Sequence, residues 1–397
     1  MGEGVSICIN YWMIHFVENN PNLKVLAKFK GYFSAIIFEQ NITMDIKITK
    51  TEISKLKDID FDNIPFGKYT SDHMFVMDYA DGQWGDFRIV PYQGFVIDPQ
   101  SKALQYCQCI FEGMKATIGA DGIPKLLRPD LNIERFNLSA ERMCMPKVPN
   151  DIFLEALKAI IALEINWIPK ATGSALYLRP TMIATESSLA VTPSDTYTFY
   201  IYTGPVQPYF TKPIRLVTEQ KLIRAVPGGT GEAKTGGNYA GSLMASQLAK
   251  QKGFDQIIWL ESPEFKKIQE AGMMNLFFVI DDAVLTPKLT GAVLKGTTRT
   301  YFIDILEEKN IKVEVRDIYI DEILEAYKKG NLKEAFGSGT AAVVSHISEI
   351  THGDILMVLP KVEDRKISNM LYQEINELRA GLIEDKRNWL VPVEVYS

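Results

Sequence analysis

The sequence predicts an α/β protein, of mixed α+β character, built as two domains. Three observations carry that prediction. Strand-like and helix-like periodicities interleave through both halves of the chain. A proline-dense stretch near the middle breaks both of them. The chain has 397 residues, 46% hydrophobic and 23% charged, enough for two cores.

Taken in order, residues 75–110 and 174–203 contain short apolar or alternating runs that read as strands, such as Phe87-Arg88-Ile89-Val90 and Tyr197-Thr198-Phe199-Tyr200-Ile201-Tyr202. Between them, 132–142 and 151–163 carry apolar residues at three- and four-residue spacing and read as helices. The run Gly204-Pro205-Val206-Gln207-Pro208-Tyr209-Phe210-Thr211-Lys212-Pro213 has three prolines in ten residues and marks a domain connection. The expected organisation is a small domain over 44–204, a linker over 205–213 and a large domain over 214–397. In the large domain, strands are predicted at 256–260, 275–280, 312–315 and 355–359, and helices at 298–308, 321–328 and 366–379. Residues 1–43 have no arginine and no signal- or transit-peptide pattern. They are expected to lie outside the folded unit as an upstream extension.

The net charge is -6 and no sustained Lys/Arg block occurs, which argues against nucleic acid or an anionic membrane as partner. No run reaches the length of a membrane span. Cys8, Cys107, Cys109 and Cys144 contain no CxxC, and His15, His73, His346 and His352 are scattered, so no metal site is expected. Cys107 and Cys109 are spaced to share one face of a strand. A cytoplasmic protein acting on small molecules is the expectation.

The most informative segment is Gly228-Gly229-Thr230-Gly231-Glu232-Ala233-Lys234-Thr235-Gly236-Gly237-Asn238-Tyr239. One amine stands in a glycine frame that permits positive φ and close approach of a flat ligand. A helix follows, with Asn238 as the expected N-cap, Ala240, Leu243, Met244 and Leu248 at helical spacing, and Gly253 to close it. The run is one residue short of a Walker A loop, and Gly337-Ser338-Gly339-Thr340-Ala341-Ala342 matches the loose dinucleotide pattern. Neither has the expected strand and acidic context. Both Gly337-Ser338-Gly339-Thr340 and the helix head Gly296-Thr297-Thr298 nonetheless offer backbone N–H groups and hydroxyls to an anion. A reactive amine, two anion cups and no metal suit pyridoxal 5′-phosphate, which needs a lysine to condense with its aldehyde, a phosphate cup and an acid facing its ring nitrogen.

Several ordered motifs then match a known family. Glu232-Ala233-Lys234-Thr235-Gly236-Gly237-Asn238-Tyr239, Gln269-Glu270-Ala271-Gly272-Met273-Met274-Asn275, Leu294-Lys295-Gly296-Thr297-Thr298-Arg299 and Phe336-Gly337-Ser338-Gly339-Thr340-Ala341 resemble signatures of the branched-chain amino acid aminotransferases. So do Phe111-Glu112-Gly113-Met114-Lys115, Asn132-Ile133-Glu134-Arg135 and Leu176-Tyr177-Leu178-Arg179-Pro180. The likeness runs from about Met44 to the C-terminus.

The resemblance implies a fold-type IV pyridoxal-phosphate enzyme, with a smaller N-terminal α/β domain, a larger barrel-like C-terminal domain and the cofactor between them. It implies a homodimer whose subunits border each other's sites. Lys234 would carry the cofactor and then move the proton. Glu270 would face the ring nitrogen and Tyr239 the phenolic oxygen. Arg135, Thr297, Thr298 and Thr340 would hold the phosphate. Tyr106, Phe111, Val191 and Tyr209 would wall the substrate pocket, Thr340 and Ala341 would receive the α-carboxylate, and Tyr177 with Arg179 would receive the second carboxylate of glutamate. The reaction implied is reversible ping-pong transfer of the amino group of L-leucine, L-isoleucine or L-valine to 2-oxoglutarate.

Three departures stand out. Ala342-Val343-Val344-Ser345 replaces a redox CxxC, Met273 replaces a threonine, and Thr297-Thr298 stands where aliphatic pairs also occur. A D-amino acid aminotransferase or an aminodeoxychorismate lyase of the same fold is the nearest alternative, and a P-loop-like ATPase a remote one.

Overall fold

The computed structural model describes residues 44–395 except Thr172, Tyr209, Thr211, Met273 and Ala341. The expectations for 1–43, Tyr209, Met273 and Ala341 therefore lie outside the described residues. Ile46–Ser397 is one compact unit.

Its first half supplies β1 (Lys47–Ile48), β2 (His73–Ala80), β3 (Gln83–Pro91), β4 (Cys109–Phe111), β5 (Met114–Ile118), β6 (Pro124–Leu127), β7 (Ala175–Ala184) and β8 (Tyr197–Val206). Helices α1 (Lys102–Tyr106), α2 (Pro129–Arg142) and α3 (Asn150–Leu163) accompany them. The second half supplies β9 (Ile214–Glu219), β10 (Gln256–Leu260), β11 (Ile268–Ala271), β12 (Asn275–Ile280), β13 (Ala283–Pro287), β14 (Lys312–Arg316), β15 (Leu332–Gly339), β16 (Val343–His352) and β17 (Ile355–Val358). Its helices are α4 (Gly236–Gln251), α5 (Thr297–Glu308), α6 (Ile320–Lys328) and α7 (Ile367–Ala380), and β18 (Leu390–Pro392) ends the series.

Among the described residues these strands form two nine-stranded sheets. The first runs β1-β3-β2-β8-β7-β5-β6-β18, with β4 paired to β7. The second runs β11-β10-β9-β16-β15-β12-β13-β14, with β17 on β16. The last strand thus returns to the first sheet, Val391 opposite Leu126.

Three sequence expectations need correction here. Gly204 and Pro205 are part of β8, so the crossing between sheets begins at 207. Pairing of β2 with β8 stops at Met74 opposite Tyr202, and Pro205 has no neighbour there that needs its missing N–H. A Cβ at Gly204 would overlap the Tyr69 carbonyl. Next, 102–106 is helix rather than strand. Its Lys102 is buried, with the ammonium on Glu186 Oε2 at 2.7 Å, Thr192 Oγ1 at 2.9 Å and the Pro193 carbonyl at 3.0 Å. Finally, Cys107 closes α1 in the left-handed region (φ 52) while Cys109 opens β4, so the two do not share a strand face.

Apolar faces at the predicted spacings build the cores. Phe136 of α2, Phe153 of α3 and Phe199 of β8 meet edge to face at 4.9–5.5 Å between centroids, and Phe75 of β2 adds to them. In the second half, α5 and α7 cover one face of the sheet through Phe302, Ile305, Leu371 and Ile375, over the stacked pair Phe277–Phe336. The other face buries Ile320, Ile323 and Leu324 of α6. Leu127, Leu131 and Trp389 join the α5–α7 core, so the two sheets share apolar packing and the cleft between them has fixed walls.

Candidate active site

Lys234 ends a loop that is tied down before α4 begins. Its backbone N–H donates to Ser139 Oγ at 2.9 Å, and its carbonyl accepts from Phe111 N at 3.0 Å. Asn238 is not the N-cap, since α4 starts at Gly236 with Thr235 before it. Its amide instead donates to the carbonyls of Thr230 and Ala233 at 2.7 and 2.8 Å, and its oxygen accepts from the Thr230 hydroxyl at 2.7 Å. The glycines serve mostly as small residues. Gly228 has φ 80, but a Cβ at Gly231 would press on Ala225 Cβ at 2.6 Å and one at Gly236 on Cys109 Sγ at 2.8 Å. The Lys234 side chain leaves this tied loop toward Tyr239 and Phe111. Its Nζ donates to the Tyr239 hydroxyl at 2.7 Å and lies 4.9 Å from the centroid of the Phe111 ring.

The amine opens into a cleft of about 190 Å³ lined by Phe111, Gly113, Arg135, Tyr177 and Arg179 from the first half and by Asn275, Leu294, Gly296, Thr297, Thr298, Ser338, Gly339 and Thr340 from the second. A smaller adjoining pocket shares Tyr239, Asn275 and Leu294 with it and is lined also by Glu270 and Arg224. Lys234 and Glu270 thus border neighbouring pockets that share three wall residues.

Two buried ion pairs set the field. Glu270, 3% exposed, accepts from Arg224 Nε at 2.7 Å and from Leu294 N at 3.0 Å. Burial pushes its carboxyl up, Arg224 opposes that, and the result stays above the ordinary carboxylate range. Arg224 also donates to the carbonyls of Ala292 and Gly231 at 2.8 and 3.2 Å. Arg135 forks onto Glu112 through Nε at 2.7 Å and Nη2 at 2.8 Å, with Nη1 on the Lys295 carbonyl at 3.0 Å. Burial pushes Glu112 up too, but Arg135 outweighs it and holds that carboxyl low. Arg135 therefore presents only its remaining N–H groups to the cleft.

Anion-binding groups gather beside Arg135. Thr297 and Thr298 open α5 behind Gly296, directing unpartnered N–H groups of the first turn outward. The expected Gly-Ser-Gly-Thr turn is largely strand: Gly337, Ser338 and Gly339 end β15, with Ser338 opposite Asn275 and Leu276 opposite Gly337. Gly296 must lack a side chain because a Cβ would overlap Asn275 Oδ1. Ser338 Oγ is buried and without a partner, a donor that a bound anion would satisfy.

On the substrate side, Tyr177 and Arg179 project from one face of β7, with Arg179 Nη2 on the Tyr177 hydroxyl at 3.1 Å and the guanidinium 4.8 Å over Phe111. The remaining two predicted wall residues among those described do not reach this cleft. Tyr106 is 41% exposed with its hydroxyl on the Leu189 carbonyl at 2.6 Å, and Val191 is 84% exposed. Arg224, Asn275 and Glu112 escaped the site prediction, whereas the Ser338 hydroxyl belongs to the anion cup read from Gly337-Ser338-Gly339-Thr340. Glu112 lies inside a quoted motif, but nothing local marks it as the partner of an arginine 23 residues away.

Neither nucleotide-binding pattern has its fold context. Residues 220–235 form no strand, and Gly337-Ser338-Gly339 sits in an antiparallel strand between β12 and β16.

A family model described as amino-transferase class IV matches residues 109–350. The chain belongs to the class IV aminotransferases. This class IV aminotransferase is 42% identical over 355 residues to branched-chain-amino-acid aminotransferase 2 of Bacillus subtilis strain 168, covering 88% of this chain and 97% of that protein. It is 43% identical over 336 residues to branched-chain-amino-acid transaminase 1 of the same organism, covering 83% and 94%. The crystal structure of the branched-chain aminotransferase from Thermoproteus uzoniensis with norvaline shares its fold, with a TM-score of 0.68 at 24% identity over 81% of this chain and 100% of that one.

Class IV aminotransferases use pyridoxal 5′-phosphate. The cleft of this member fits that group on its own evidence: a side-chain amine at one wall, a buried carboxyl at the other, and at the far end an arginine, a helix N-terminus and an unsatisfied buried hydroxyl. Among the described residues no cluster could hold a metal ion and no helix is long and apolar enough to cross a membrane.

Proposed function

We propose that this class IV aminotransferase transfers the amino group of L-leucine, L-isoleucine or L-valine to 2-oxoglutarate, reversibly and by a ping-pong sequence. The observation that carries the reading is the pair Tyr177–Arg179 beside Phe111, a cationic donor set against an aromatic wall in the same cleft as Lys234. A pocket serving both a branched aliphatic donor and a dicarboxylic acceptor needs both surfaces. The similarity to the two Bacillus subtilis proteins of that name supports it.

The cofactor, when bound, supplies an electrophilic carbon and a ring that takes up the electrons of a broken C–H bond. Lys234 would hold it, and its amine would move the proton at the substrate Cα. Tyr239 orients the Lys234 amine through their 2.7 Å bond and would hydrogen-bond the phenolic oxygen of the cofactor. Glu270, from its buried position, would face the ring nitrogen and favour its protonated form. Arg135, Thr297, Thr298, Thr340 and Ser338 receive the phosphate. Phe111 walls off water, Tyr177 and Arg179 receive the second carboxylate of glutamate, and the neighbourhood of Thr340 and Ala341 receives the α-carboxylate. Tyr106, Val191 and Tyr209 are proposed as further pocket walls. For the two outside the cleft, that role calls for a second subunit, in keeping with a homodimer. A small domain that ends with β8 and a large one over 214–397, and a cytoplasmic setting, belong to the same proposal.

The test is turnover of L-leucine against 2-oxoglutarate, with D-leucine as control. Parallel double-reciprocal lines and inertness of D-leucine are expected. Turnover of D-leucine alone assigns the chain to the D-amino acid aminotransferases instead.

A further inference from the structure

We propose that Asn275, the first residue of β12, is a positioning residue. It holds segment 294–296 so that the acid at one end of the cofactor and the anion cup at the other keep one fixed separation. The inference rests on the reading that Glu270 faces the ring nitrogen and that Arg135 and the head of α5 receive the phosphate. Asn275 lines both the cofactor cleft and the smaller pocket beside Glu270, which places it between those two ends.

Glu270 and Asn275 flank a tight turn in which Ala271 N donates to the Met274 carbonyl at 2.9 Å and Met274 N to the Ala271 carbonyl at 2.6 Å. Both flanking residues are buried. From the two sides of the turn their side chains take hold of a single residue. The Glu270 carboxylate accepts from Leu294 N at 3.0 Å, and the Asn275 amide nitrogen donates to the Leu294 carbonyl at 2.9 Å. A carboxylate serves an N–H but has no proton for a carbonyl, so the second grip requires a donor. The next carbonyl, that of Lys295, accepts from Arg135 Nη1 at 3.0 Å, and that of Gly296 accepts from Thr300 N in the first turn of α5 at 3.1 Å. Three consecutive residues thus join the buried acid, the arginine of the anion cup and the helix head.

Gly296 is shaped to this grip. Its φ of -68° and ψ of 126° are open to any residue, so the backbone does not ask for glycine. A Cβ there would overlap the Asn275 amide oxygen and lie 3.0 Å from its Cγ, with Arg299 Cβ next at 3.4 Å. The glycine keeps a space for Asn275. Across the sheet, Asn275 is directly opposite Ser338, and opposed residues share a face, so the unsatisfied Ser338 hydroxyl stands on the same side as the brace. A ligand held at both ends gains full affinity only where its two subsites are set in advance to its length. Asn275 provides that setting.

The experiment uses the full chain, with its cofactor removed and titrated back, and reads the dissociation constants of pyridoxal 5′-phosphate, of pyridoxal and of inorganic phosphate. Asn275→Ala should weaken pyridoxal 5′-phosphate about tenfold, the scale of one buried hydrogen bond lost with its carbonyl left unpaired. Pyridoxal and phosphate each engage one end and should weaken less than about threefold. Equal losses for all three ligands would mark a merely structural residue and overturn the proposal, as would an unchanged constant for pyridoxal 5′-phosphate. Gly296→Ala presses on the same amide from the other side and should give the same pattern, which keeps the test decisive even where Asn275→Ala folds poorly. The double variant should bind no more weakly than either single one, because the new Cβ then meets no amide, whereas losses that multiply overturn the proposal. Glu270→Gln separates the two levels of the reading. If it leaves pyridoxal affinity unchanged, the ring-nitrogen assignment falls and this proposal with it. If it weakens pyridoxal while Asn275→Ala alters none of the three constants, only the role of Asn275 falls.

Discussion

Glu270 accepts the Nε proton of Arg224 at 2.7 Å, with the two side chains only 4% and 6% exposed. The acid proposed to face the cofactor is thus held by a cation reaching in from the loop that leads to Lys234, a contact between residues 46 positions apart. Arg224 bonds loop carbonyls with its other nitrogens, so it fixes both the carboxyl and the loop.

Arg224→Met should leave Glu270 buried without its counter-charge and cost about 3–5 kcal/mol of stability. The Glu270 pKa should climb further, because burial would act without the guanidinium opposing it. A carboxyl raised in the folded state favours folding at low pH and loses that advantage as pH rises through the folded pKa. The variant without cofactor should therefore destabilise more steeply than the parent protein as pH rises from about 4, the ordinary glutamate value. Urea titrations across that range read the slope, and parallel curves would count against the ion pair as the controlling contact.

Lys234→Ala should lower turnover of L-leucine by at least about 10²–10⁴-fold. Borohydride should no longer fix the cofactor to the chain. Because the backbone of Lys234 is held through Ser139 and Phe111, the melting temperature without cofactor should change little, which separates lost chemistry from lost fold.

Gly113→Ala tests the substrate side. A Cβ at Gly113 would overlap the Tyr177 hydroxyl, so the ring must turn and release its 3.1 Å bond from Arg179. The KM for 2-oxoglutarate should rise more than that for L-leucine, with kcat for the leucine half-reaction nearly kept. Equal effects on both substrates would remove Tyr177 from carboxylate recognition.

Lys115 predicts a second pH dependence, of opposite sign to that of Glu270. Its pKa is depressed from 10.5 to about 7 by burial and by Arg379. A depressed lysine contributes stability at high pH and loses it as pH falls through the folded pKa. At 1.36 kcal/mol for each unit of pKa, the full effect is on the order of 5 kcal/mol. The parent protein should lose stability between about pH 10 and pH 7 relative to Lys115→Met, as read by urea titrations across that range.

Much of the fold was legible because periodicity is a local property. The strands expected at 256–260 and 275–280 form over those residues, and the helix expected at 151–163 begins one residue earlier. Where a left-handed residue ends an element, as Cys107 does, periodicity misled. The apolar residues that announced α4 show the same limit. Leu243, Met244 and Leu248 are 67%, 64% and 41% exposed, so their spacing marked the helix and not its buried face.

By itself the chain determined the order of strands and helices, the crossing near its middle and the reactive amine in its glycine frame, since all three are written in neighbouring residues. Tertiary structure decided the rest. It paired Arg224 with Glu270 and Arg135 with Glu112, turned Ser338 toward the cleft from within a strand, and kept Tyr106 and Val191 outside it. Those outcomes depend on which distant groups desolvate together, and the free energy of a buried charge is set by its partners in space rather than by its neighbours along the backbone.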